Sequence, residues 1–201
     1  MGEPAAKPYI SYAEYLEMEE KSDTKHEWLD GVVYELSEAR NMSGASPAHA
    51  RISLNLAAAV KVQLAGKRCA AFSADLRVRV LATGLSTYPD LTVVCDRLEH
   101  DPDSRGYAVA NPTVLFEVLS DSTEAYDRGE KFAHYRRIPS LREYVLVSQS
   151  SPLIEVFRRN DAGQWVLVAE AGAGQSATLE SIGVTLSVDA VYEDPLAEPA
   201  A

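Results

Sequence analysis

Apolar positions in this chain follow two periods, and the places where the period changes mark its elements. Ser11-Tyr12-Ala13-Glu14 has capping-box spacing, which predicts a helix from about Tyr12 to Lys21. Its apolar face is Tyr12, Tyr15, Leu16 and Met18, and Glu17, Glu19 and Glu20 are its solvated face. Lys25–Leu29 and Val32–Leu36 flank Asp30-Gly31, the dipeptide that favours a tight hairpin turn. Residues 37–46, rich in Ser, Gly and Asn, read as a loop. Ser46-Pro47 then opens a helix that should end at Leu64 or Ala65, stopped by Gly66. Ile52, Leu56, Ala59 and Val60 form its buried stripe, and His49 lies on the same side in the first turn.

The second half reads mainly as strands. Arg68–Phe72, Leu76–Leu81 and Leu91–Cys95 come first, with Asp75, Arg77 and Arg79 as the polar face of the middle one. Residues 96–112 form a long charged loop, and Thr113–Leu119 is an apolar run expected at the centre of the sheet. Asp127-Arg128-Gly129-Glu130 resembles a second cap, so a helix is predicted from about Asp127 to Arg137, ended by Pro139. A strand at Glu143–Val147, a hairpin of Leu153–Arg158 with Trp165–Glu170, and short strands near Ala177–Leu179 and Val184–Leu186 follow. The pattern predicts a mixed α/β fold, a central mixed sheet flanked by helices with additional β-hairpins. One domain over 11–194 lies between a flexible arm (1–10) and a tail (195–201).

Composition narrows the function. A chain of 201 residues, 46% apolar, can bury a sizeable core. No apolar run approaches the ~20 residues of a membrane span, and the first residues carry no secretory signal, so the cytoplasm is expected. Cys69 and Cys95 sit in apolar strands and read as small core residues, not as metal ligands. The net charge of −11 repels phosphates, so nucleic-acid binding would have to be local, metal-assisted or made by an oligomer.

Two of the strands carry an acid where one is costly. Pro89 cannot donate to a ladder, so it marks a strand start and leaves Asp90 at the entry. Read alone, Asp90 is more often a turn-capping aspartate. Glu117 lies among Val114, Leu115, Phe116, Val118 and Leu119, in a run buried on both faces. A glutamate there needs a metal or a close partner, an arginine being the structural alternative. Lys131 shares a helix face with Asp127 and Tyr135 and could return to the end of the Glu117 strand. There it could orient or deprotonate a water, or neutralise transition-state charge. Two acids and a lysine suit Mg²⁺, with Mn²⁺ as its substitute, a hard ion bound by one or two carboxylates. Glu27, His49, Asp75 and Tyr135 are accessory candidates: Glu27 as an outer metal contact through water, His49 as a phosphate contact or a helix cap, Asp75 as a site acid or a solvated strand residue.

At Pro89-Asp90, Glu117-Val118-Leu119 and Lys131 the chain resembles the PD-(D/E)XK phosphodiesterase superfamily. More closely, it resembles the Uma-two family of restriction-endonuclease-like proteins from about Tyr12 to Val191. His26-Glu27-Trp28-Leu29-Asp30-Gly31 and Asp127-Arg128-Gly129-Glu130-Lys131 with Tyr135 add to the likeness. The superfamily's lysine normally falls two residues after the acid, where this chain has Leu119; the lysine has moved to Lys131. The resemblance implies a restriction-endonuclease-like core, Mg²⁺-dependent DNA cleavage, a metal held by Asp90, Glu117 and the Val118 carbonyl, and a homodimer. Two rivals stand beside it: a nuclease-fold binding module that no longer cuts, and a hydrolase of small phosphorylated or nucleotide substrates, which would account for the acidity.

Overall fold

The computed structural model describes residues 8–36 and 46–197. The loop expected at 37–46 falls almost wholly outside the described residues, as do most of the arm and part of the tail. The first helix, α1 (Tyr12–Glu19), closes its capping box through Ser11 and Glu14. The hairpin of β1 (His26–Leu29) and β2 (Val32–Glu35) turns through Asp30 and Gly31 at φ 47° and 83°. That left-handed pair matches the right-handed twist of the two strands. The long helix α2 (Pro47–Gln63) starts on the Ser46 cap and buries Ile52, Leu56 and Val60, as the stripe predicts.

There follow β3 (Cys69–Ser73), β4 (Arg77–Arg79), β5 (Ser86–Thr87), β6 (Leu91–Cys95), β7 (Ala108–Val109) and β8 (Val114–Leu119). A helical stretch joins α3 (Glu124–Tyr126), a π-wound turn at Asp127–Lys131, and α4 (Phe132–Tyr135). The chain ends with β9 (Glu143–Ser148), β10 (Leu153–Arg159), β11 (Trp165–Gly172), β12 (Ser176–Leu179), β13 (Val184–Ser187) and α5 (Val188–Tyr192).

A six-stranded mixed sheet runs β11-β10-β9-β8-β6-β3, parallel only between β8 and β9. A second, five-stranded sheet runs β2-β1-β5-β4-β7, which the expectation of one central sheet did not include. The large sheet is covered on both faces. Val114, Phe116 and Val118 pack with α2 and the β12–β13 hairpin. Leu115 and Leu119 pack with Phe132, Tyr135 and Val78 on the other. Side chains alternate along a strand, so Glu117 shares the second face.

Several expectations fail for tertiary reasons. Glu19 is not solvated: it pairs with the His26 ring at 2.9 Å and accepts the Tyr88 hydroxyl at 2.8 Å. Arg77 is buried against the rings of Tyr15 and Tyr88. The 96–112 stretch is no free loop, since β7 pairs with β4 and Asp101 and Ser104 are buried. Asp101 accepts the Tyr12 hydroxyl at 2.6 Å, which ties that stretch to α1. Cys69 and Cys95 stand opposite one another on β3 and β6 and form a disulfide, so they are not independent core residues.

The cross-link spans 26 residues of sequence. A loop of that size predicts a stabilisation of about 3 kcal/mol. Cys95→Ser should lose about that much in urea denaturation while keeping its circular dichroism, and reductant should do the same to the wild type. A midpoint indifferent to reductant would mean the link does not form in solution.

Candidate active site

The register of the large sheet builds the site. Leu91 on β6 faces Phe116 on β8, so Asp90, one residue before β6, comes beside Glu117. The Asp90 carboxylate accepts the Val118 N–H at 2.7 Å. His49, from the first turn of α2, places Nε2 3.5 Å from the same oxygen. The N–H and C=O of one strand residue point to the same edge, so the Val118 carbonyl lies on the Asp90 side, beyond the Leu91–Phe116 pair.

Lys131 comes from the helical stretch that crosses this face. Its start differs from the sequence reading: Thr123 precedes the first turn, and Asp127 lies inside the helix and not at its cap. The π winding at Asp127–Lys131 buries both of those side chains. Such widened turns are commonly found at functional sites. The Asp127 carbonyl accepts the Tyr144 hydroxyl at 3.0 Å. Lys131 Nζ lies 2.9 Å from Glu117 Oε1, 3.2 Å from Asp127 and 3.7 Å from Glu27. Tyr135, one turn on, donates its hydroxyl to Glu117 Oε1 at 2.8 Å. Glu27, from β1, accepts the hydroxyls of Thr87 and of Tyr126, the latter at 3.0 Å.

Three carboxylates, Glu117, Asp127 and Glu27, therefore surround one ammonium, Asp90 stands beside Glu117, and none of the five groups is more than 9% exposed. Burial pushes Glu117 up to about 8, reinforced by Asp127 and Asp90, and Lys131 only partly offsets it. Burial opposes the Lys131 charge, yet Glu117, Asp127 and Glu27 outweigh it and hold the group well above the ordinary lysine range. Burial raises Asp127 as well.

The structure brings together Asp90, Glu117, Lys131, Glu27, His49 and Tyr135. It leaves Asp75 out: that side chain is largely exposed and pairs with Lys25 at 2.6 Å. Sequence reasoning missed Tyr126 and Thr87 as neighbours of the cluster, and it set Asp127 on the Lys131 face without counting it among the site acids. The spacing of Asp127 to Lys131 was the available signal, and a helix-cap reading absorbed it.

The donors suit one class of ion. They are carboxylate oxygens and a backbone carbonyl, which fit a hard divalent cation that keeps several waters. Among the described residues no group of three or more His, Cys, Asp and Glu side chains is disposed to hold a metal ion, so the donors here are two carboxylates and a backbone carbonyl. A divalent cation would also offset the excess of buried negative charge.

Two mixed layers around a central mixed sheet, with acids on adjoining strands and a buried lysine, define a nuclease-like fold of the restriction-endonuclease kind. The chain belongs to the Uma2 family, described as "Putative restriction endonuclease", over residues 12–189. It is 38% identical to the uncharacterized protein slr1290 of Synechocystis sp. over 92% of each chain. It is 31% identical to sll1609 of the same organism over 81% of this chain and 88% of that one. Its fold is similar to the crystal structure of "a putative nuclease belonging to DUF820" from Anabaena variabilis, with a TM-score of 0.70 at 15% identity, covering 91% of this chain and 97% of that one.

The Glu117 shift has a stability consequence. The folded state keeps its proton up to about 8, whereas the unfolded chain releases it near 4.5. Between those values the native state binds more protons, so stability falls as pH rises from about 5 to 8. The drop should be on the order of a few kcal/mol in chelator. Glu117→Gln should flatten that slope and be the more stable protein at pH 8. A wild type equally stable across the window would contradict the raised value.

Proposed function

We propose that this protein is a metal-dependent nuclease that hydrolyses phosphodiester bonds in DNA at the Asp90–Glu117–Lys131 cluster. The observation that carries the reading is the convergence of Asp90 and Glu117, from adjoining strands, beside a lysine 2.9 Å from Glu117. Asp90, Glu117 and the Val118 carbonyl would hold Mg²⁺ or Mn²⁺. When bound, that ion polarises the phosphoryl oxygen and lowers the pKa of a water it carries.

The chain's own residues do the rest. Lys131 stays an ammonium, because three carboxylates hold its proton. It therefore acts through its charge, neutralising the oxyanion that develops on phosphorus, and not as a base. The Tyr135 hydroxyl and the Lys131 ammonium both bind Glu117 Oε1, which fixes that carboxylate. The Val118 N–H fixes Asp90 in the same way. Glu27 and Asp127 balance the lysine and set its position. Such preorganisation spares the reaction the cost of turning these groups at the moment of attack.

The test is cleavage of plasmid and single-stranded DNA with Mg²⁺, Mn²⁺ or chelator. Cutting should need the metal, and Asp90→Ala and Lys131→Ala should each lower it by at least about 100-fold. Calorimetry separates binding from chemistry: Asp90→Ala should lose Mg²⁺ affinity, while Lys131→Ala should keep it. No cutting with intact metal binding would move the substrate to small phosphorylated compounds. Neither cutting nor metal binding would leave a non-catalytic module.

A further inference from the structure

We propose that Cys69 is a thiol–disulfide exchange site, reached by small anionic thiols through the groove between the end of α2 and the β3 edge. β3 is the outermost strand of the large sheet and is bonded only to β6. The Cys69–Cys95 cross-link ties this edge strand to that one neighbour. Both cysteines are half-buried and pack toward the α2 side of the sheet. Lys61, Leu64, Ala65, Cys69, Ala70 and Ala71 line a groove of about 330 Å³ there. Cys95, on the inner strand, is not among them. A thiol entering from the open edge therefore meets Cys69 first, with Cys95 behind it. Displacement at sulfur needs the attacking, central and leaving sulfurs nearly in line, and the strand order supplies that sequence. A disulfide sealed in the core would be closed to such attack.

Charge selects the thiol. The stretch from Pro47 to Ala74 holds Arg51, Lys61, Lys67 and Arg68 and no acid, on a chain of net charge −11. Lys61 stands on the wall of the groove. Lys67 donates to the Ile182 and Gly183 carbonyls at 2.8 and 2.6 Å, neutral acceptors that leave its charge uncancelled. Arg68 pairs with Asp96 at 3.3 Å, but both groups are largely exposed and the pair is weak. An anionic thiol is thus attracted here and repelled by the molecule's net charge. In the first step its thiolate attacks Cys69 Sγ. A new S–S bond forms to Cys69, the Cys69–Cys95 bond breaks, and the electron pair leaves on Cys95, which takes a proton from water. A second thiolate then attacks the bound thiol's sulfur, releasing Cys69 and a small disulfide. Two thiols are oxidised and one protein disulfide is reduced.

The proposal does not depend on the nuclease reading. Its test is the rate of exchange on the oxidised full chain with mercaptoethanesulfonate and with cysteamine, which share a two-carbon frame and differ in charge. At matched thiolate concentration and low salt the sulfonate should react about tenfold faster, and high salt should level the two. Lys61→Glu, on the exposed side of α2, should reverse the preference with unchanged circular dichroism. Acid quenching, alkylation and peptide mapping should find the adduct on Cys69 and the alkylated thiol at Cys95. An adduct on Cys95 would overturn the proposal. So would rates indifferent to thiol charge, exchange that needs denaturant, or two free thiols that persist under mild oxidant.

Discussion

The cost of holding charge away from water governs the centre of this molecule. Glu117 sits mid-strand with Leu115 and Leu119 on its own face and with Phe116 and Val118 on the other. An ionised carboxylate there, unaccompanied, would be worth several kcal/mol of destabilisation. The fold answers with Lys131 and the Tyr135 hydroxyl on one oxygen. Lys131 in turn needs acids of its own, and Asp127 and Glu27 supply them. Each compensation buries another charge, so the cluster grows to four acids and one base without reaching neutrality. That surplus of negative charge is the physical ground for the proposal that a cation binds there.

Placing these groups together uses every level of the fold. Strand alternation puts Glu117 on the face that the helical stretch covers. The β6–β8 register brings Asp90 alongside, and the Val118 N–H holds it there. The π turn seats Asp127 and Lys131 inward together. The second sheet contributes Glu27 on β1, kept in place by Thr87 on β5. A group supported from several elements is stiffer than one on a loop, and a site that must preorganise charge benefits from that stiffness.

Much of this was legible in the chain, and the omissions share a cause. Asp90, Glu117 and Lys131 could be singled out because each violates a local pattern: a carboxylate at a proline-marked strand start, a glutamate in an apolar run, a lysine at the right helical spacing. Local rules also located the Asp30-Gly31 turn and the Ser46 cap. What escaped were residues whose surroundings are set by distant segments. Glu19 matches a solvated helix face in sequence, and only Tyr88, far along the chain, reveals otherwise. Asp127 satisfies a capping signature, yet Thr123 starts the helix one turn earlier. Cys69 and Cys95 become a pair only through the β3–β6 register. The five-stranded sheet is built from pairs as short as Ser86–Thr87, too brief to leave a period.

Burial alone does not mark a functional acid, and Glu143 shows why. It is as buried as Glu117, at the start of the neighbouring strand β9. Its oxygens receive Arg158, the N–H groups of Glu180 and Ser181, and the Ser181 hydroxyl. An arginine, shared with the exposed Glu180, and three neutral donors satisfy that carboxylate, which is the pattern of a structural anchor. Glu117 has two donors, shares its lysine with Asp127 and Glu27, and faces Asp90. The difference lies in the balance of charge around the carboxylate, not in its depth. Where donors outnumber acids the group is finished by the protein itself. Where acids outnumber donors, as around Lys131, the protein's own groups leave the charge unbalanced.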